Sequence, residues 1–197
     1  MAHQKYFSYL KNGVTLWNHW RENHPHEIPD LREINLEGAN LEGANFKDTN
    51  LAGANLRWAN LKRVDFTNAN LSHAECMMAD CSMACFVGAN LSNADFRGAI
   101  LVHAKLQEAK LVQTNLSQTN VTGANFYDTA RDGWNIEGSL CEYVFWDWSK
   151  EHRIPQHGYF RPGEFEKRYK NSHTPHHPLR AMLHLVTLMF NRVSLVE

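Results

Sequence analysis

The sequence predicts an all-β solenoid with a capping helix before it and a helical segment after it. Two registers running in phase point to this fold. Stepping by five from Leu31 to Phe126 gives 20 consecutive positions that hold 12 Leu, five Phe, two Cys and one Val. Two residues before the large positions, from Ala39 to Thr129, 19 positions hold 14 Ala, four Thr and one Val. A period of five suits neither common element. An α-helix turning about 100° per residue would scatter these side chains around its circumference. A strand would send successive leucines to opposite faces. A chain that coils, with two of every five residues inward and three outward, satisfies the pattern.

Residues 1–28 are read as the capping helix and a linker. The stretch "QKYFSYLKNGVTLWNHWRE" at 4–22 sets Phe7, Leu10, Val14 and Trp17 at helical spacing, with Gly13 as its weakest point. A stacked β-coil has an unpaired edge at each end, so a helix here is expected to cover the first coil. Pro25 and Pro29 in "NHPHEIPDL" stop the helix and start the repeat.

The repeat itself occupies residues 29–146, regular to 128 and irregular in its last coil. Its motif, A(N/D)LXX, is plain in "NLEGANLEGANF" at 35–46. Over residues 29–128 it resembles the pentapeptide-repeat family. That resemblance implies a right-handed quadrilateral β-helix, in which each pentad makes one side of a square and four complete a coil. The order of phenylalanines supports the count of four independently. Inward positions 46, 66, 86, 106 and 126 read Phe, Phe, Phe, Leu, Phe, and only Phe96 lies on another phase. Phe46, Phe66, Phe86 and Phe126 should therefore share one column, favoured by buried area and ring geometry. Beyond it, Arg131 takes a large inward slot and breaks the pattern. Trp134, Ile136, Cys141, Val144 and Trp146 keep the register and are expected to close the interior.

Residues 147–197 form a C-terminal loop and helices. Asp147–Lys170 reads as a proline-punctuated loop with a short helix starting near Gly163. This segment and the opening "LKNGVTLWNHWRENHP" resemble sequences flanking the repeats in cyanobacterial members of the family, which implies a bacterial origin. Residues 178–197, "PLRAMLHLVTLMFNRVSLVE", start with Pro at a helical first position and are apolar over most of a helix surface. Such a helix needs something to bury against. It packs on the protein's own last coil, or it is a docking or dimer helix through Met182, Leu185, Val186, Met189 and Phe190. Arg180 and Arg192 are its only strong cations, which argues against binding along a membrane surface.

Composition narrows the chemistry. The 20 Lys+Arg against 21 Asp+Glu offer no bulk field for nucleic acid or an acidic membrane. "MAHQKYFSYL" has no apolar signal core, and the run Ala181–Phe190 is too short to span a bilayer. The four cysteines form no CxxC pair, so a cytoplasmic, reduced protein is expected. Cys76, Cys81 and Cys141 fall in inward slots and Cys85 in an outward one, a poor arrangement for zinc. "HPH" at 24–26 and "HTPHHP" at 173–178 are read as linkers rather than metal sites. No catalytic triad, phosphate loop or HExxH spacing is present. His73 and His103 fall in different columns. A rod filled by its own side chains has no interior pocket, so neither catalytic nor cofactor residues are expected.

One outward region departs from the polar norm. Trp58, Met77, Met78, Met83, Ile100 and Val102 make an apolar candidate patch for a protein partner, adaptable through its methionines. Harmless scatter, or cover by the terminal helix, is the competing account of those residues. The main functional reading is a non-enzymatic protein–protein interaction module. The resemblance supplies an alternative, because some bacterial members of the family imitate duplex DNA, bind DNA gyrase and protect it. Residues 29–128 carry 11 Asp+Glu against 8 Lys+Arg, a net of −3, which is a weak field for imitating phosphates. An enzyme is the third and least supported reading.

Overall fold

The computed structural model describes residues 4–171. The predicted docking or dimer helix at 178–197 lies outside the described residues, as does "HTPHHP" at 173–178.

Five residues are enough for one turn and one bridge. Within each pentad the backbone N–H at the alanine slot donates to the carbonyl of the preceding large residue, as in Ala44 to Leu41 at 2.9 Å and Ala54 to Leu51 at 3.0 Å. A turn of this kind needs φ above zero at its third residue. Fourteen non-glycine residues and eight glycines occupy that slot between Glu33 and Gly138, with φ from 52° at Asp128 to 71° at Gly123. The Asn/Asp slot closes the corner from outside. Asn35 Oδ1 accepts from the Glu37 N–H at 3.1 Å, and Asp65 Oδ1 from the Thr67 N–H at 2.9 Å. These are Asx turns, which is why the slot favours short amide and acid side chains.

The corners bring residue i beside residue i+20. Parallel bridges join Asp30 to Asn50, Asn35 to Asn55, Asn40 to Asn60 and Asn45 to Asp65, then repeat in these four columns as far as Asn125–Phe145. The β structure of the rod is thus a set of isolated bridges rather than extended strands, since the turns consume the rest of each pentad. Asparagine side chains add a second ladder outside: Asn70 Nδ2 donates to Asn50 Oδ1 at 3.2 Å, and Asn90 Nδ2 to Asn70 Oδ1 at 3.3 Å.

The interior is apolar and narrow. Phe46, Phe66, Phe86 and Phe126 are fully buried, as are Leu51, Leu56, Cys76 and Cys81. The Phe46 and Phe66 rings stack at 5.6 Å and the Phe66 and Phe86 rings at 5.0 Å. Leu106 then interrupts the file. Phe126 instead meets Trp146 at 5.5 Å and Trp134 at 5.6 Å. Threonine replaces alanine where its hydroxyl reaches a carbonyl, as Thr119 Oγ1 does to Leu116 at 2.6 Å.

The N-terminal cap differs from the single helix expected over 4–22. Helix α1 spans Gln4–Lys11 and α2 spans Val14–Asn23, broken at Gly13, whose φ of 105° no helix accommodates. The break changes which residues turn inward. Tyr6, Leu10, Trp17, Trp20 and Arg21 are buried, whereas Phe7 is exposed and Val14 half-buried. Trp17 lies on Phe46 at 5.4 Å. Helix α2 also supplies the backbone partners of a coil that is not there. Asn18 Oδ1 accepts from the Asn45 N–H at 2.8 Å, while its Nδ2 donates to the Gly43 carbonyl at 2.9 Å. Trp17 Nε1 serves the Asn45 carbonyl at 2.8 Å, and Arg21 Nη2 the Lys47 carbonyl at 2.6 Å.

At the other end the backbone register runs through Arg131 without interruption, so the break there is one of side-chain type alone. Arg131 is buried in its inward slot, with its guanidinium 4.6 Å from the Trp146 ring and 5.7 Å from that of Trp134. Burial pulls its pKa down to about 10. The spacing slips locally after Cys141, which is half-buried: the Gly123 N–H passes over Glu142 to the Tyr143 carbonyl, and the 20-residue step returns at Asn125–Phe145. A short antiparallel pair, β1 (Val144–Phe145) with β2 (Arg153–Ile154), then covers part of the edge. Helix α3, Glu164–Tyr169, seats Phe165 and Tyr169 on the aromatic plug and offers Glu166 Oε2 to the Gly138 N–H at 2.9 Å.

Removing a stacked ring from this interior should leave a cavity. Phe66→Ala is expected to cost roughly 3–5 kcal/mol. Ala79→Leu should overpack its slot and cost roughly 1–3 kcal/mol. Chemical denaturation of both variants measures this, and parent-like stability in both would mean that these side chains do not face inward.

Candidate protein-interaction surface

The outward slots stack in columns by the same 20-residue register. Trp58, Met78, Gly98 and Gln118 fall in one column, and Glu37, Arg57, Met77 and Arg97 in the column beside it. Together they line a shallow surface groove of about 410 Å³. Its apolar part is Trp58, Met77 and Met78. Trp58 is 60% exposed and Met78 50%, while Met77 is half-buried between the arginines.

Of the six predicted patch residues, these three line one groove. Met83 and Ile100 are exposed and Val102 half-buried, but none of them lines the groove. They form a separate strip around the corner, where the Met83 N–H donates to the Val102 carbonyl at 2.9 Å and Ile100 bridges Asp80.

Gly98, Arg57 and Arg97 were not among the residues read from the sequence as site members. A Cβ on Gly98 would collide with Met78 Sδ, so the glycine is what lets the thioether lie flat over the next coil. Arg97 Nη2 donates to Met77 Sδ at 3.1 Å and pairs with Asp95 Oδ2 at 2.8 Å. Arg57 Nε pairs with Glu75 Oε2 at 2.9 Å. The groove walls are therefore cationic side chains already matched by acids, and the floor is apolar. The common slot of positions 58, 78, 98 and 118, one coil apart, is the signal that would have found Gly98.

Trp58, Met78 and Met83 also stand in the left-handed turn slot, at φ 61°, 60° and 61°. Glycine suits that slot best, and eight of the pentads use it. A bulky side chain there costs roughly 1–2 kcal/mol of backbone energy. Burial does not offset that cost, because these three side chains are at least half exposed.

The buried thiols offer no reactive centre. Burial pushes the Cys76 and Cys81 thiols well above their ordinary range. Cys85 faces outward and makes a 3.3 Å contact with Thr67 Oγ1, so the three sulfurs do not converge. Among the described residues, no helix is long and apolar enough to cross a membrane.

The family model for pentapeptide repeats matches the chain in eight copies, over residues 30–68, 50–80, 74–111 and 99–130. No curated protein matches it. Among solved structures it is similar to a pentapeptide repeat protein of the cyanobacterium Cyanothece, with 26% identity and a TM-score of 0.45, over 66% of this chain and 97% of that one. It is also similar to HetL of the cyanobacterium Nostoc, a pentapeptide repeat protein involved in heterocyst differentiation regulation. There the identity is 24% and the TM-score 0.40, over 60% of each chain. Trypsin-treated QnrB1, a plasmid-mediated fluoroquinolone resistance protein, matches at 21% identity and a TM-score of 0.35, over 61% of this chain and 76% of that one.

Trp58→Gly should relieve the left-handed strain, worth roughly 1–2 kcal/mol, against roughly 0.5–1 kcal/mol of added backbone entropy in the unfolded chain. Its unfolding free energy is expected within about 1 kcal/mol of the parent by denaturant titration. A loss as large as that of Phe66→Ala would show that Trp58 is a packing residue.

Proposed function

Because the chain belongs to the pentapeptide repeat family, we propose that it is a non-enzymatic protein–protein interaction module of the bacterial cytoplasm, built on a right-handed quadrilateral β-helix. One observation carries this reading. Bulky apolar side chains occupy an exposed groove in a backbone slot where glycine would be more comfortable, and stability of the rod does not account for them. Thioethers beside an indole make an adaptable surface for apolar side chains of a partner. The partner strip at Met83, Ile100 and Val102 extends that surface around the corner.

Capture of partners from the bacterial extract on the immobilised chain tests the groove. The variant Trp58→Gly/Met78→Gly should lose at least tenfold in retention of the partner while keeping its fold by circular dichroism. Retention of every partner by that variant rejects the groove as the site. Gyrase protection is separable in the same preparation: supercoiling by purified gyrase is expected to be unaffected, since the repeat lacks the negative field that imitation of DNA requires.

Self-association through the segment 178–197 belongs to the same proposal. Sedimentation of the full chain should show a concentration-dependent dimer that a chain ending at Asn171 does not form. Equal mass for both would assign Met182, Leu185, Val186, Met189 and Phe190 to packing within one chain or to another partner.

A further inference from the structure

The cations of the rod are not all alike. The four outward arginines of the regular coils each have an acid beside them: Arg32 with Asp30 at 2.7 Å, Arg57 with Glu75 at 2.9 Å, Arg63 with Glu42 at 3.5 Å and Arg97 with Asp95 at 2.8 Å. Near the C-terminal end, Lys105, Lys150 and Arg153 enter no ion pair among the described residues. The column Lys105–Asn125–Phe145 carries Lys105 and the ring on which Lys150 rests, and the column His103–Gly123–Tyr143 carries the ring on which Arg153 rests. A Cβ on Gly123 would collide with the His103 ring, so the glycine lets that ring pass across the coil towards Tyr143, 6.4 Å away.

Aromatic rings hold the other two cations in place. The Arg153 guanidinium lies 4.2 Å from the Tyr143 ring and 5.2 Å from that of Tyr159, and its Nη2 donates to the Gly158 carbonyl. Lys150 Nζ sits 5.5 Å from the Phe145 ring. Burial, and then the charge of Lys105, hold the Lys150 ammonium below the ordinary lysine range, in keeping with its seat on Phe145 in the column of Lys105. Asp147 is turned away: its carboxylate accepts from Ser149 Oγ and from the N–H groups of Glu151 and His152. Glu151, next to Lys150 in the chain, enters no ion pair with it among the described residues.

Resting on the reading of this chain as an interaction module, we propose that the face made by Lys105, Lys150 and Arg153 docks an acidic segment of a partner protein. Ordered, unmatched cations lose little freedom on meeting carboxylates, and their mutual repulsion is relieved by them. Nucleic acid fits less well. The ring faces that would stack bases are already taken, Tyr143 by Arg153 and Phe145 by Lys150. An extended acidic segment places a carboxylate about every 6.8 Å on one side, so successive carboxylates can reach cations spread over two coils, about 9.6 Å.

Fluorescence-polarisation titration of the full chain with a labelled octaglutamate peptide, at low and at physiological salt, tests the proposal. Saturable binding is expected, weakening with salt and falling about tenfold in Lys105→Glu/Lys150→Glu. The control Lys11→Glu/Lys47→Glu, equal in net charge, should bind like the parent. Absence of saturable binding at low salt, or an equal loss in the control, overturns the proposal. A short single-stranded DNA that displaces octaglutamate more tightly than it is displaced would also overturn it. Trp58→Gly/Met78→Gly should bind octaglutamate like the parent, so failure of the groove and failure of this face read out separately.

Discussion

Backbone hydrogen bonding between residues 20 apart is the constraint from which the rest of this molecule follows. Each coil can satisfy its N–H and C=O groups only by lying in register on the next, and the register holds only if a corner recurs every five residues. The corner in turn demands a left-handed residue and favours an Asn or Asp before the large side chain. Inward packing adds to this frame. Leu and Phe fill a width set by the backbone, and Ala is the residue that leaves them room. A long side chain in an alanine slot conflicts with the ladder itself, not merely with its neighbours.

Both ends show how strictly the rule applies. At the first coil the missing ladder partners are replaced by side chains of α2. Asn18 does the most, since one carboxamide both donates and accepts, as a peptide group would. At the last coil the solution is mixed: a short antiparallel pair, the Glu166 carboxylate on Gly138, and an aromatic plug around Arg131. Among the described residues, part of the edge at each end is thus covered, which limits pairing with another chain.

Much of this was legible in the residues. The Phe46–Phe66–Phe86 file follows from their spacing alone, because a repeat in sequence becomes a stack in space when the coil closes. The groove was half legible. Trp58 and Met78 stood out against polar neighbours, and the pentad count put Met83, Ile100 and Val102 on the next face; that the groove itself stops short of that corner was not legible. Gly98 was invisible as a site residue because its contribution is an absent side chain. The cap was the least legible. Helical spacing proposed Phe7 and Val14 as its buried face, yet Gly13 re-aims the second helix, and the contacts that matter are polar ones from Asn18 and Arg21 to carbonyls that no periodicity marks. Arg131 misled for a related reason: an arginine in an apolar slot reads as a break until two indoles are known to flank it.

The equivalence of successive coils has a consequence for how such a chain can change length. Gain or loss of 20 residues would lengthen or shorten the shaft while leaving each face pointing where it did. Gain or loss of a single pentad between them would rotate everything beyond it by a quarter turn, changing the bearing of Lys105 and Arg153 relative to Trp58. Relative bearing of two distant surfaces is therefore set in this architecture by counting, with the corner as the unit of angle and the coil as the unit of distance.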